Sequence, residues 1–185
     1  LEKALPSAEN VTETARWQYL IAQLYERSNQ FEPALNWYLK ARRTTVDPIL
    51  DVYARLNAIR MNRQQQDDDQ YIRQNIEDLY KMARREAYAG YRDIIYYTAG
   101  IMDKERSHFE GLIGSMNRSL KYNNSNTSLK NKTLQQLGDA YFETGMFVEA
   151  KAAYDSIQLP DPYLESVEVI AARKKALAPL VNHLA

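Results

Sequence analysis

Apolar and small residues recur along this chain at steps of three and four, with polar residues between them. That period predicts amphipathic helices. Period-two runs bounded by glycine or Asn-Gly turns, the mark of strands, are essentially missing. The spacing is sharpest from Lys132 to Pro162. There Leu134, Leu137 and Tyr141 form one stripe on a first helix, and Ala150 and Tyr154 fall on a second. Gly138 and Ala150 are small where the two helices face each other, because a larger side chain would push the backbones apart. Gly145 stands at the reversal, where it can take a positive φ. Phe147 plugs the turn, and Pro162 after Asp161 ends the second helix and can begin another. The same spacing covers residues 11–47 through Ile21, Ala22, Tyr25, Ala34, Tyr38 and Ala41. Asn29 stands at that reversal, Phe31 is the plug, and Trp17 and Trp37 add bulk. Asn10 with Glu13 reads as a capping box that starts a helix near Val11.

The rest of the chain is less regular. Residues 1–9 read as the tail of a preceding helix. Residues 48–88 read as an irregular pair, with helices over about 48–61 and 70–88. The polar run 62–69 between them is expected to be a loop whose last aspartate caps the next helix. Residues 91–122 read as a degenerate repeat in which Gly100, Phe109, Leu112, Met116 and Ser119 hold the small, plug and core places. Asp103 stands there where an aromatic residue is expected. A second loop is expected at 122–128, the clearest repeat at 130–161, and a terminal helix at 163–178, broken by Pro179.

These spacings resemble the tetratricopeptide repeat family, whose unit is a 34-residue helix–turn–helix. Ala22 and Gly138 lie further apart than three such units, and the two loops would absorb the excess. The resemblance implies an all-α fold, a TPR-type right-handed α-solenoid of antiparallel helix pairs spanning residues 1–185 as a single array. It also implies a protein-binding concave face lined by the first helix of each pair. On that face the expected residues are Arg16, Tyr19, Gln23 and Glu26 in one clear repeat. In the other they are Lys132, Gln135, Asp139 and Phe142, with Tyr97 and Lys104 the equivalents in the degenerate repeat.

Composition narrows the function. The chain has 185 residues, 45% apolar and 26% charged, enough to bury a core and stay soluble, and its formal net charge is zero. That balance points away from nucleic acid and from an anionic membrane surface. No apolar run reaches the roughly 20 residues of a membrane span. Cysteine is absent, which excludes disulfides and a cysteine nucleophile. Leu1 is not a natural start, so the chain is expected to begin inside a longer precursor.

The chemistry-bearing motifs are missing. There is no glycine-rich phosphate loop, nucleophile elbow or Ser-His signature. His108 is expected in a solvated turn and His183 in an unstructured tail, and neither has metal-binding companions at helical spacing. The acidic run at 67–69 fits no calcium loop. The expectation is a binding protein with no catalytic residues, no cofactor, no metal and no small-molecule substrate. A chaperone-tail clamp is disfavoured, because Glu26, Asp139 and Phe142 stand where the carboxylate-binding repeats of this family carry Lys and Asn.

Four further stretches carry a narrower resemblance: Ala15 through Glu26, Asp47-Pro48 with Tyr53 through Asn57, Tyr91 through Tyr97, and Ala152 through Ser156. Together they are similar to the PorW/SprE family of periplasmic lipoproteins in the type IX secretion system of Bacteroidetes. That resemblance implies a scaffold facing the periplasm, held to the outer membrane by a lipid anchor outside this fragment. It would link periplasmic and outer-membrane parts of a machine for protein export and gliding motility. It also suggests O-glycosylation at Ser156, within Asp155-Ser156-Ile157. Two other classes stay open: a cytoplasmic peptide-binding co-chaperone or regulatory module, and a repeat segment attached to a catalytic domain elsewhere in a parent chain.

Overall fold

The computed structural model describes residues 2–63, 69–123, 125–164 and 166–184. They are helical, and no strand occurs among them. The chain forms two compact units, Leu1–Tyr91 and Arg92–Ala185. Within each unit consecutive helices pack on one another.

The first unit holds α1 (Val11–Arg27), α2 (Phe31–Thr44), α3 (Pro48–Arg63) and α4 (Asp69–Ala83). α1 starts where the capping signal puts it. Asn10 is extended, with φ −156° and ψ 171°, and its side chain accepts from the Glu13 N–H at 2.9 Å. The reciprocal arm reaches one residue further back than in a standard capping box: the Glu13 carboxylate accepts from the Glu9 N–H at 2.7 Å. Within the expected helix tail at 1–9, the described residues 2–9 are not α-helical. Glu2–Ser7 is a 3₁₀ turn containing Pro6, tied to α1 by the Tyr25 hydroxyl, which donates to Glu2 at 2.6 Å. Ala22, Ala34, Tyr38, Ala58 and Met61 form one core across α1, α2 and α3, with Tyr19, Phe31 and Trp37 against it.

Of the expected loop at 62–69, residues 62 and 63 continue α3 and Asp69 opens α4, while 64–68 lie outside the described residues. Asp69 pairs with Arg73 one turn on, at 2.7 Å. The helix expected to reach 88 stops at Ala83, and Glu86–Tyr91 is a separate 3₁₀ segment. Residues 84–87 are all exposed, so no buried stripe holds that stretch in the α form.

The second unit holds α5 (Arg92–Glu105), α6 (Phe109–Tyr122), α7 (Thr127–Glu143), α8 (Phe147–Asp155) and α9 (Val167–Leu184). The loop expected at 122–128 is shorter, because Tyr122 ends α6 and Thr127 and Ser128 already belong to α7. Asn124 lies outside the described residues, and Asn126 caps α7 by accepting from the Leu129 N–H at 3.0 Å. α8 has only nine residues, so Pro162 does not end it. The segment beyond α8 is held by Asn131, which is 1% exposed. Its side chain accepts from the Gln158 N–H at 2.9 Å and donates to the Gln158 carbonyl at 2.7 Å and to Asp161 at 2.9 Å. α9 runs through Pro179 to Leu184, with no break at the proline. A proline removes one intrahelical donor, and here it lies close to the helix end. The backbone of His183 is therefore helical, and its side chain lies outside the described residues. Ala150, Tyr154, Leu164, Ile170 and Leu177 form the core of this end, with residues of α9 completing it.

Three hairpin turns are built alike. Asn29, Ser107 and Gly145 all take positive φ, at 56°, 56° and 76°. The residue after each returns its N–H to a carbonyl five back: Gln30 to Tyr25 at 2.9 Å, His108 to Asp103 at 2.9 Å, and Met146 to Tyr141 at 2.8 Å. Each positive-φ residue also bonds three back, to Glu26, Lys104 and Phe142. This paired closure satisfies the last carbonyls of the first helix and starts the second two residues later, at Phe31, Phe109 and Phe147. The degenerate repeat thus shares the register of the two clear ones.

Candidate functional site

In the first unit Tyr19 and Glu26 are brought together by Tyr38, a residue whose spacing marks it only for the core. Tyr38, 0% exposed, crosses from α2 and donates its hydroxyl to the Glu26 carboxylate. Tyr19 packs edge-on against the Tyr38 ring, with centroids 5.2 Å apart, and its oxygen accepts from Asn57 at 2.7 Å. Gln23 is half-buried on the same helix and Arg16 is exposed. Glu26 is therefore already engaged by a phenol of its own hairpin, whereas the sequence places it in a groove for a partner.

The second unit repeats the device one turn earlier. Tyr154 of α8 stands sixteen positions after Gly138, as Tyr38 does after Ala22. Its hydroxyl donates to Asp139 at 2.6 Å. Arg173 of α9 donates to the same Asp139 oxygen at 2.6 Å and to the Tyr154 oxygen at 3.0 Å, and it reaches Glu143 at 3.4 Å. Its guanidinium also lies over the Phe142 ring, 4.8 Å from the centroid. Asp139 and Phe142 thus form the seat of α9. Lys104 is exposed and donates to Gln136 at 2.8 Å; Tyr97, Lys132 and Gln135 are half-buried.

Burial, and then the neighbouring acids, leave these hydroxyls less acidic. Burial pushes the Tyr19 phenol up to about 12, with the Glu26 charge adding to it and the Asn57 hydrogen bond opposing it. Burial, then the hydrogen bond to Glu26, raises Tyr38; burial, then the bond to Asp139, raises Tyr154. A phenol held protonated is a poor nucleophile or base near neutral pH, so the arrangement is suited to fixing helices together. The pH dependence follows. For a group whose pKa is higher folded than unfolded, the stabilisation is complete below the unfolded value and lost as pH climbs to the folded one. The stability of the first unit should therefore fall as pH rises from about 10 to about 12. Urea melts across that range check it, and a slope no smaller in Tyr19→Phe would count against Tyr19 as a contributor.

His108 and Asp103 depart from expectation together. Asp103 is 3% exposed and accepts from His108 Nδ1 at 3.0 Å and from Arg106 Nη1 at 3.2 Å. The histidine is exposed as a residue, yet its ring is fixed to a buried acid and so is not simply a solvated turn residue. No group of three or more His, Cys, Asp and Glu side chains that could hold a metal occurs among the described residues. Nor is any helix among them long and apolar enough to cross a membrane. Sequence reasoning missed Asn57, Tyr38, Tyr154 and Arg173 at these sites. The shared place of the two tyrosines after Ala22 and Gly138 was a usable signal, whereas Arg173 lies in a stretch with no repeat register.

No protein-family model matches the chain, and no curated protein does. Among solved structures, the crystal structure of BtubC (BKLC) from P. vanneervenii is similar, with a TM-score of 0.58 at 16% identity. The match covers 89% of this chain and 75% of that one, and identity this low carries the fold alone.

Proposed function

We propose that this chain is a non-enzymatic scaffold of the tetratricopeptide type that binds other proteins through the exposed faces of its first helices. The observation that carries the reading is the shared turn geometry at Asn29, Ser107 and Gly145, which sets three helical hairpins in one register. Repeats of this kind present extended surfaces suited to partner proteins. The four stretches of resemblance direct the reading further, to a periplasmic component of the type IX secretion system. There it would join periplasmic and outer-membrane parts of the export and gliding machinery, with a lipid anchor outside this fragment.

Deletion of the encoding gene in a host that carries this apparatus is the test. Secretion of cargo bearing the sorting signal should be lost, and the wild-type gene should restore it. Normal secretion in the deletion strain would end the secretion assignment. Crosslinking from the periplasm then tests the face itself. Arg16→Glu, at an exposed position of α1, should reduce capture of a partner while the far-UV circular dichroism stays unchanged.

A further inference from the structure

The chain is neutral overall, but one cleft in its first unit is not. A cavity of about 410 Å³ opens at the junction of α2 and α3, lined by Leu39, Arg42, Arg43, Thr45, Asp51 and Arg55. Three guanidinium groups face a single carboxylate there. Asp51 is shared: Arg55 Nε and Nη2 donate to it at 3.2–3.3 Å, and Arg42 Nε lies 3.6 Å away. Arg55 Nη1 is buried and makes no hydrogen bond among the described residues, with the Asp78 carboxylate 3.9 Å off. Arg55 is thus held by its two neighbouring acids, and Arg42 and Arg43 are the more accessible cations of the cleft. Burial, and the neighbouring Arg55 charge, push the Arg42 guanidinium below its ordinary value, so a second anion would relieve that site.

A smaller recess of about 190 Å³ adjoins the cleft through Asp51 and Arg55 and adds Lys81 and Arg85 together with the Asp78 carboxylate. Both recesses carry more cations than anions, and they share Arg55. The planar fork of arginine matches carboxylates in two-point contacts. Arg43 and Lys81 are exposed, so the pair of recesses is open to solvent and a single small ion would fill only one of them.

We propose that this arginine-lined cleft binds an extended acidic peptide segment of a partner protein, carboxylates seating on Arg42 and Arg43, with Arg55 adding its charge. The proposal deepens the protein-interaction reading above and rests on it. Its site is separate from Arg16 and Tyr19, so the two fail independently. The experiment is fluorescence anisotropy on the full chain with a labelled glutamate-rich peptide and its glutamine counterpart. The acidic peptide should bind at least about tenfold tighter, and added salt should weaken it. Arg43→Gln should cost about fivefold and Arg42→Gln with Arg43→Gln about 10- to 100-fold, given the strength of charge-assisted hydrogen bonds. Lys3→Gln, outside the cleft, should change nothing. Equal binding of the two peptides would overturn the proposal. So would an equal loss in Lys3→Gln, full affinity in folded Arg43→Gln, tighter binding of an oligonucleotide of matching charge, or displacement by millimolar inorganic phosphate alone. Should the acidic peptide fail while Arg16→Glu still abolishes partner capture, the interaction reading stands without this site.

Discussion

Tyr154→Ala should destabilise the Arg92–Ala185 unit by about 3–5 kcal/mol, the usual cost of emptying a buried aromatic site. The ring is 0% exposed and lies over Gly138, where an added Cβ would come within 2.5 Å of the ring carbon Cε1. The glycine exists to admit the ring, so the neighbouring backbone has no side chain with which to fill the hole. Tyr154→Phe separates the two roles of the residue. It keeps the ring and loses the hydroxyl, while Asp139 keeps Arg173, so the cost should be nearer 1 kcal/mol. Urea unfolding followed by far-UV circular dichroism measures both. If the two variants were equally stable, the ring would not be the part that matters.

Gly111→Ala should cost about 1–3 kcal/mol, even though alanine is the better helix former by roughly 1 kcal/mol. A Cβ at Gly111 would overlap Oδ2 of Asp103 and would lie 2.5 Å from both its Cγ and Nδ1 of His108. Asp103 is held by two partners through its other oxygen, Oδ1, and is 3% exposed, so moving it aside would cost those bonds. The loss should shrink when Asp103→Ala is combined with it, giving a coupling of about 1 kcal/mol or more in a double-mutant cycle. Strict additivity would mean that the two residues do not compete for the same space.

Much of the helical register is legible in the order of residues alone. Ala22, Ala34 and Ala150 are 0% exposed and Gly138 is buried, as small residues at crowded helix contacts must be. Asn10 caps α1 because a side-chain acceptor at that place satisfies a free N–H whatever the rest of the chain does. Local signals of this kind survive because their partners lie within a few residues. Signals with distant partners do not. Asp103 is lost for another reason: its partners Arg106 and His108 are local, but periodicity scores any polar residue as exposed. Glu26 and Asp139 read as groove acids because nothing in an acidic residue announces that a tyrosine on the next helix will claim it. The extent of α9 is misjudged at Pro179 when a rule for helix interiors is applied near an end. The arginine cleft is invisible for a different reason: its charges come from α2, α3 and the far end of α4, and their sum emerges only when those elements meet.

The seat of α9 bears on how this protein can be cut. The sequence unit closes near Pro162, but the hydrophobic cluster around Tyr154 does not, since Leu164, Ile170 and Leu177 are among its members. A recombinant fragment trimmed at the apparent repeat boundary would leave an oily half-shell in water and strip Asp139 of its cation. Divisions that respect the packing must carry the following helix along, so the domestic unit of this molecule is a hairpin plus its lid.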